Sequence, residues 1–380
     1  MSDNNSIKST PNGIQCLNIV NVIAFVINIG VTYVIGVAGG NILGIELNLP
    51  NNAELSDKYQ TLVTPATYAF SIWAIIFISQ FIWILLQFVV GKYRSSPLVT
   101  KDSGVGYMYV IVCFAQALWS TLFGLEQILY SLIAMLIILI SLLRITFRLE
   151  SKKEDSSIVD YILLKFPFHI HTGWIIAATL LNINVALVAE TQQVTNGEGE
   201  AAEDNEDMVN EMISSTTSTI DNLELYVAYG SFVALLLVGS YFLLRKLWVI
   251  VFVLIWASLA ISIELNEPKY LIIDTFSETE IQTVQYISGG LAIGLLLTSM
   301  IFGYCTFKRT SSSSSTGGDS SSSGIRTNSS KRNIKDDDTA ANDVDSMLDE
   351  RIKKYNDDIS VRHQQRDDDD SSPTTDYAMM

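Results

Sequence analysis

Residues 64–87 read TPATYAFSIWAIIFISQFIWILLQ. After the turn residue Pro65 the run carries no charge, and it is long enough to cross a bilayer, which takes about 20 residues at ~1.5 Å each. A plain lipid span would be Leu, Ile, Val and Phe all round, whereas this one also holds Trp73, Gln80, Trp83 and Gln87. At roughly 100° per residue, positions 73, 80 and 87 nearly superimpose, and 83 lies within about 80° of them. The aromatic and amide side chains therefore share one face. Two readings stand. The face packs on neighbouring helices through amide hydrogen bonds, or it is a wall of a ligand pocket inside a helix bundle.

Outward from this stretch, the chain divides into two unlike regions. Its 380 residues are 49% hydrophobic with a mean hydropathy of +0.31, but residues 1–306 hold the apolar runs and 307–380 are Ser, Asp and Lys/Arg. The formal charge of −16 comes mostly from that tail and one acidic loop, and no basic footprint points to nucleic acid. Cys16, Cys113 and Cys305 sit in or beside apolar segments, so no disulfide framework is implied.

The spacing predicts an all-α polytopic membrane bundle of about eight transmembrane helices. Residues 1–13 are polar. The first span runs from Cys16 to about Gly40, with Asn18, Asn21 and Asn28 close to one face. It is too long for the apolar core of a signal peptide. A polar connector over 41–64 leads into the span already quoted. The third span lies near 105–124, where Tyr109, Cys113, Gln116 and Ser120 share a helical face beside Trp119. The fourth, about 127–147, is nearly all aliphatic and reads as lipid-facing. The fifth begins at Pro167, a residue suited to a helix N-terminus, and carries His171, Trp174, Ala178 and Asn182 on one face. Residues 191–224, acidic and without Lys or Arg, read as a flexible outer loop. Three further spans are expected over 225–306, the first two joined only at Arg245-Lys246, before a disordered tail over 307–380. The membrane core covers 14–190.

Charge sets the orientation. With the N-terminus inside, the inner segments hold Lys8, Lys92, Arg94, Lys101, Arg144, Arg148, Lys152, Lys153, Lys165, Arg245, Lys246, Lys308 and Arg309. The outer ones hold only Lys58 and Lys269. By the positive-inside rule both termini face the cytosol. No Asp, Glu, Lys or Arg lies in the core of a span, which argues against ion pumps, proton-coupled carriers and voltage sensors. His169 and His171, two apart on a helix, point to different sides, and no metal is expected. No catalytic motif is present, and the chain reads as no enzyme.

Three segments resemble a known family. ELSDKYQTLVTPATYAFSIWAIIF (54–77), AQALW (115–119) and FPFHIHTGWIIAATLLN (166–182) are similar to signature segments of the TspO/MBR, tryptophan-rich sensory protein or translocator-protein, family in its longer form. The resemblance implies a five-helix core, here followed by three more spans. It also implies a Trp-rich pocket for a tetrapyrrole such as a porphyrin or haem, and for sterols in animal members. Trp73, Trp119, Trp174 and Asn182 fall on the motif positions. The sequence departs from the family at Gln116, in place of Asn, at His171, in place of Tyr, and at the single Pro65. The expected ligand site is Trp73, Gln80, Trp83, Gln116, Trp119, His171, Trp174 and Asn182, in a sensory or carrier protein. The alternatives are a transporter of an uncharged small solute and a membrane receptor. The expected partners are the lipid bilayer, a tetrapyrrole or sterol, and a second copy in a homodimer.

Overall fold

The computed structural model describes residues 14–42, 44–94, 96–100, 104–151, 157–200 and 206–314. The polar N-terminal segment and the tail beyond 314 lie outside the described residues. The chain is built of α-helices: α1 (Cys16–Val31, continued by a π-helical turn Thr32–Val37), α2 (Asn52–Lys58), α3 (Ile72–Val89, entered through a 3-10 turn Thr67–Ser71), α4 (Gly91–Arg94), α5 (Pro97–Thr100), α6 (Met108–Gly124), α7 (Ile128–Ser151), α8 (Ile158–Leu164), α9 (Phe166–Glu200), α10 (Glu206–Leu244), α11 (Trp248–Glu264), α12 (Tyr270–Thr275) and α13 (Glu278–Ser314). One two-residue antiparallel pair, β1 (Asn41–Ile42) with β2 (Ile45–Glu46), follows α1.

Among the described residues, six helical segments are long and apolar enough to cross a membrane by length and composition: Cys16–Val37, Thr67–Val89, Ile128–Ser151, Phe166–Gln192, Asn222–Leu244 and Glu278–Thr306. The other two, α6 and α11, are apolar helices of 17 residues each, at the short end of the spanning range. The chain is an integral membrane protein with a helical bundle at its heart. The apolar residues exposed on the bundle, such as Ile78, Ile140, Leu237 and Ile293, suit contact with lipid chains rather than water.

The polar faces predicted on the spans point inward. Asn18, Asn21 and Asn28 are fully buried, as are Gln80, Trp83 and Gln87 on α3 and Tyr109, Cys113, Gln116 and Ser120 on α6. Amides at membrane depth must find partners inside the protein, because lipid offers none. Gln87 does so, accepting from Asn18 Nδ2 at 3.0 Å and Asn21 Nδ2 at 3.3 Å. At the far end of α1, the Thr32 and Ser120 hydroxyls meet at 3.3 Å. The tight turns hold as well. Glu126 between α6 and α7 and Lys246 between α10 and α11 both take positive φ, 57° and 59°, the cost of reversing direction in so few residues.

Helix α9 organises the packing. It is 67% buried over its most apolar window, the highest share among the six long apolar segments. It contacts α3, α7, α8, α10 and α11. A helix covered on nearly all sides shows little amphipathic pattern. Thr172 meets Thr146 of α7 at 2.9 Å, and Asn184 donates to Ser231 of α10 at 2.9 Å.

Three expectations are corrected. Helix α7 is not simply lipid-facing: Ser131, Met135, Ile138, Leu142, Ile145 and Leu149 are buried against α6 and α9, while Leu129, Ile133, Ile137 and Ile140 remain exposed. Aliphatic side chains suit lipid and core equally, so composition hides the division. The acidic segment is not a loop throughout. Helix α9 continues to Glu200 and α10 starts at Glu206, in a stretch free of proline and rich in Glu, a good helix former. The connector over 41–64 is not polar surface to its end. Residues 61–66 are buried, and Leu62 and Val63 pack with Leu225, Ile261 and Leu265 of α10, α11 and the turn that follows. Backbone groups buried there are paired: Thr61 N–H donates to Thr64 Oγ1 at 3.1 Å, and Ala66 N–H donates to the Ala260 carbonyl at 3.1 Å, as buried irregular backbone requires.

Salt bridges join residues that the charge pattern assigns to the same side of the membrane. At one end Lys58 pairs with Glu126, and Lys269 with Asp57 at 2.5 Å and Glu264 at 3.6 Å. At the other, Lys92 pairs with Asp160 at 2.8 Å and Lys165 with Glu150 at 3.3 Å.

Candidate ligand site

Where α3 crosses α9, Gln80 sits fully buried between two partners. Its Oε1 accepts from the Tyr109 hydroxyl at 3.1 Å, and its Nε2 lies 2.9 Å from His171 Nδ1. With the amide so oriented, Nδ1 of His171 is the acceptor, which leaves the ring proton on Nε2. Residue 80 thus fixes both the tautomer and the orientation of the imidazole.

Aromatic rings surround this bridge. Trp73 lies edge-on to His171 (centroids 5.7 Å) and to Trp174 (6.3 Å), and stacks on Phe77 (5.6 Å). Phe70 meets Trp174 at 5.7 Å and 83°. One turn further along α3, Trp83 packs edge-on to Tyr109 at 5.0 Å and Phe168 at 5.1 Å. Such pairs are worth about 0.5–1.5 kcal/mol each beyond area burial. His171, Trp174 and Trp83 are all fully buried.

The polar tips in this box are not all used. His171 Nε2, Trp174 Nε1 and Trp83 Nε1 are buried without a protein hydrogen-bond partner. A buried donor left unmade costs about 1–3 kcal/mol, so three within one aromatic cluster is a costly arrangement for packing alone. The residues of this cluster carry no formal charge apart from what an imidazole could take up. Its chemistry is that of an apolar, aromatic surface presenting N–H donors to acceptor atoms.

Of the expected site residues, Trp73, Gln80, Trp83, His171 and Trp174 are therefore brought together. The other three make different hydrogen-bond contacts, although Trp119 packs on the same apolar core as Trp73 and Trp83. Trp119 Nε1 donates to Asn182 Oδ1 at 2.9 Å, and Asn182 Nδ2 reaches Ser131 Oγ at 3.5 Å. Those residues form a satisfied tie between α6, α9 and α7, with Phe123 stacked on Trp119 at 5.1 Å. Gln116 belongs with α1: it lies one turn before Ser120, whose hydroxyl meets Thr32, and Thr32 in turn donates to Asn28 Oδ1 at 3.3 Å. Neither amide atom of Gln116 has a protein partner, and the same is true of Asn28 Nδ2 and Asn21 Oδ1.

Sequence reasoning left Tyr109, Phe168, Phe70 and Phe77 out of the site. Tyr109 had a signal, since it shares the α6 stripe with Gln116. The phenylalanines had none, because an aromatic ring in a membrane helix faces lipid as readily as a site. His169 and His171 diverge: His169 Nδ1 lies 3.1 Å from the Tyr161 hydroxyl, on the other side of α9 from Gln80. Among the described residues no cluster of His, Cys, Asp or Glu has the makings of a metal site.

Residues 18–200 match the model of a family described as TSPO-like protein. The matched region runs from α1 to the end of α9 and includes every residue of the cluster above. The likeness to this family is confined to that region, and α10 to α13 lie outside it. No curated protein and no solved structure matches the chain.

Proposed function

We propose that this chain, a multi-pass membrane protein with a TSPO-like region, binds a rigid and largely apolar ligand where α3 meets α9. The observation that carries the reading is the pair of buried N–H donors, His171 Nε2 and Trp174 Nε1, unpartnered and three residues apart on one helix face. A tetrapyrrole or sterol fits the chemistry. Both offer a broad apolar body to Trp73, Trp174 and Phe70, and both carry oxygen acceptors for the donors. The role is sensory or that of a carrier rather than catalytic, since the cluster holds no activated nucleophile and no acid–base pair. In this reading both termini face the cytosol, which the distribution of Lys and Arg supports.

Titration of the purified full-length chain with a porphyrin tests this. Saturable quenching of Trp fluorescence is expected. Trp174→Phe keeps most of the ring area but deletes the N–H, and should weaken binding by about 0.5–1.5 kcal/mol, roughly 2- to 12-fold. Absence of saturable quenching in the wild-type protein sinks the proposal.

A second reading has its own support. Asn28 and Gln116 leave unpaired amide atoms along the α1–α6 contact, and Asn21 leaves one where α1 meets α3, which suits a path for a small uncharged polar solute. Uptake of a neutral solute into proteoliposomes, abolished by changes at Gln116 and indifferent to Trp174, would favour it over the first.

A further inference from the structure

The helices beyond the family region reach into the site. Helix α11 turns one face toward α3 and α9: Val253, Ala257 and Ala260, buried, form a single apolar cluster with Ile72, Ile76, Ile170 and Trp174, and Trp73 and Phe70 pack on its edge. These α11 positions recur at 4 and 3 residues, one helical face. Phe252 and Leu259, on other sides of the helix, are exposed.

The approach is close. A Cβ on Gly173, the residue beside Trp174, would lie 2.8 Å from Val253 Cβ and 3.2 Å from the Ile250 carbonyl oxygen. Only glycine lets α9 and α11 come so near. Helix α11 also holds the entry to α3. The Ala260 carbonyl accepts from Ala66 N–H at 3.1 Å, Trp256 Nε1 donates to the Ala69 carbonyl at 3.4 Å, and Trp256 meets Tyr68 edge-on at 5.1 Å. The two elements that carry Trp73 and Trp174 are thus both seated on α11.

We infer that α11 is the selectivity wall of this ligand site, with the side-chain sizes at Val253 and Ala257 setting how thick a ligand fits against Trp174. The inference rests on the binding proposed above. Close-packed interiors transmit volume changes rather than absorb them. A larger residue at 257 presses on the indole from behind and narrows the site, and a smaller one at 253 relieves it.

The experiment measures Kd of the full-length chain in detergent for two probes of different thickness, the flat protoporphyrin IX and the puckered sterol cholesterol, no binding counting as a lower limit on Kd. Ala257→Leu is expected to raise the ratio of sterol to porphyrin Kd at least ten-fold, and Val253→Ala to lower it. Phe252→Ala, on the exposed face, leaves both values unchanged. A gel-filtration profile matching wild type guards against misfolding, and Val253→Ala, a small deletion, serves if Ala257→Leu does not fold. If the wild-type chain binds either probe and both variants leave the ratio within about two-fold, or weaken both probes equally, α11 is only a structural support and the inference is wrong while the binding proposal stands. If the wild-type chain binds neither probe, the binding proposal falls and takes this inference with it.

Discussion

Gln80 and Gln116 make a controlled experiment within one molecule. Both are glutamines in mid-helix and each is 1% exposed, yet one is fully bonded and the other is not. Gln80 holds His171 Nδ1 at 2.9 Å and the Tyr109 hydroxyl at 3.1 Å. Gln116 has no protein partner for either amide atom. The same change to methionine, which keeps length and removes polarity, should therefore have opposite effects. At 80 it strands two buried groups at about 1–3 kcal/mol each, so the loss is about 2–6 kcal/mol. At 116 it removes two groups that were already unpaired, so the effect is neutral or stabilising, by about 2–6 kcal/mol at most. Thermal unfolding of both variants in one detergent at one scan rate reads the order directly, and a fixed rate matters because membrane proteins often unfold irreversibly. Gln80→Met should melt several degrees below wild type, and Gln116→Met at or above it. Equal destabilisation at the two positions would refute the reasoning, since it would mean that the Gln116 amide has partners.

Other outcomes follow from the same geometry. The Trp119–Asn182 bond is a tie between helices, so Trp119→Phe and Asn182→Ala in a double-mutant cycle should couple by about 0.5–1.5 kcal/mol in unfolding while leaving porphyrin quenching intact. Gly173→Val places a side chain against Val253 and the Ile250 carbonyl, and should cost about 1–3 kcal/mol or prevent recovery of folded protein. Glu126 has its carboxyl held below the ordinary value near 4.5, first by its hydrogen bond from Lys58 and then by that from Tyr59. A depressed carboxyl contributes stability that is present above its unfolded pKa and lost as pH falls through the folded one. Hydrogen exchange in the α2 segment should therefore quicken as pH drops below about 4.5, and Glu126→Gln should flatten that dependence. The effect is small because Lys58 is half exposed.

The sequence revealed angles around helices well and contacts between helices poorly. Asn18, Asn21 and Asn28 announced a buried face, as did Tyr109, Cys113, Gln116 and Ser120, because an uncharged polar group in a membrane span has nowhere else to go. Periodicity assigns a residue to a side of its own helix. It says nothing of which partner helix faces that side or at what depth. That is why Gln80 and Gln116 looked alike and proved to belong to different contacts, and why Trp119 and Asn182, on motif positions, turned out to bond each other. Helix α7 failed for a related reason: Leu and Ile do not distinguish lipid from neighbour. The strap over residues 61–66 was invisible because its threonines pair with their own backbone, a local solution that polarity alone reads as solvent exposure.

The architecture also explains how the TSPO-like region can carry extra helices without disrupting its aromatic cluster. Helix α9 presents His171 and Asn182 toward α3, α6 and α7, with Trp174 at the border between α3 and α11, which leaves a flank to be covered. In this chain Gly173 and Asn184 supply that flank, one by letting α11 approach and the other by bonding Ser231 of α10. Residue 173 lies between His171 and Trp174, so the two surfaces are separated by little more than the width of the helix backbone. Any shift of α11 must therefore move the backbone that carries the two donors. A helix pair this close has few intermediate positions available. If α10 to α13 respond to a partner or to the membrane, the consequence reaches His171 and Trp174 through Gly173, before it reaches Gln116 or the α1 asparagines, whose helices pack on α7 and α3.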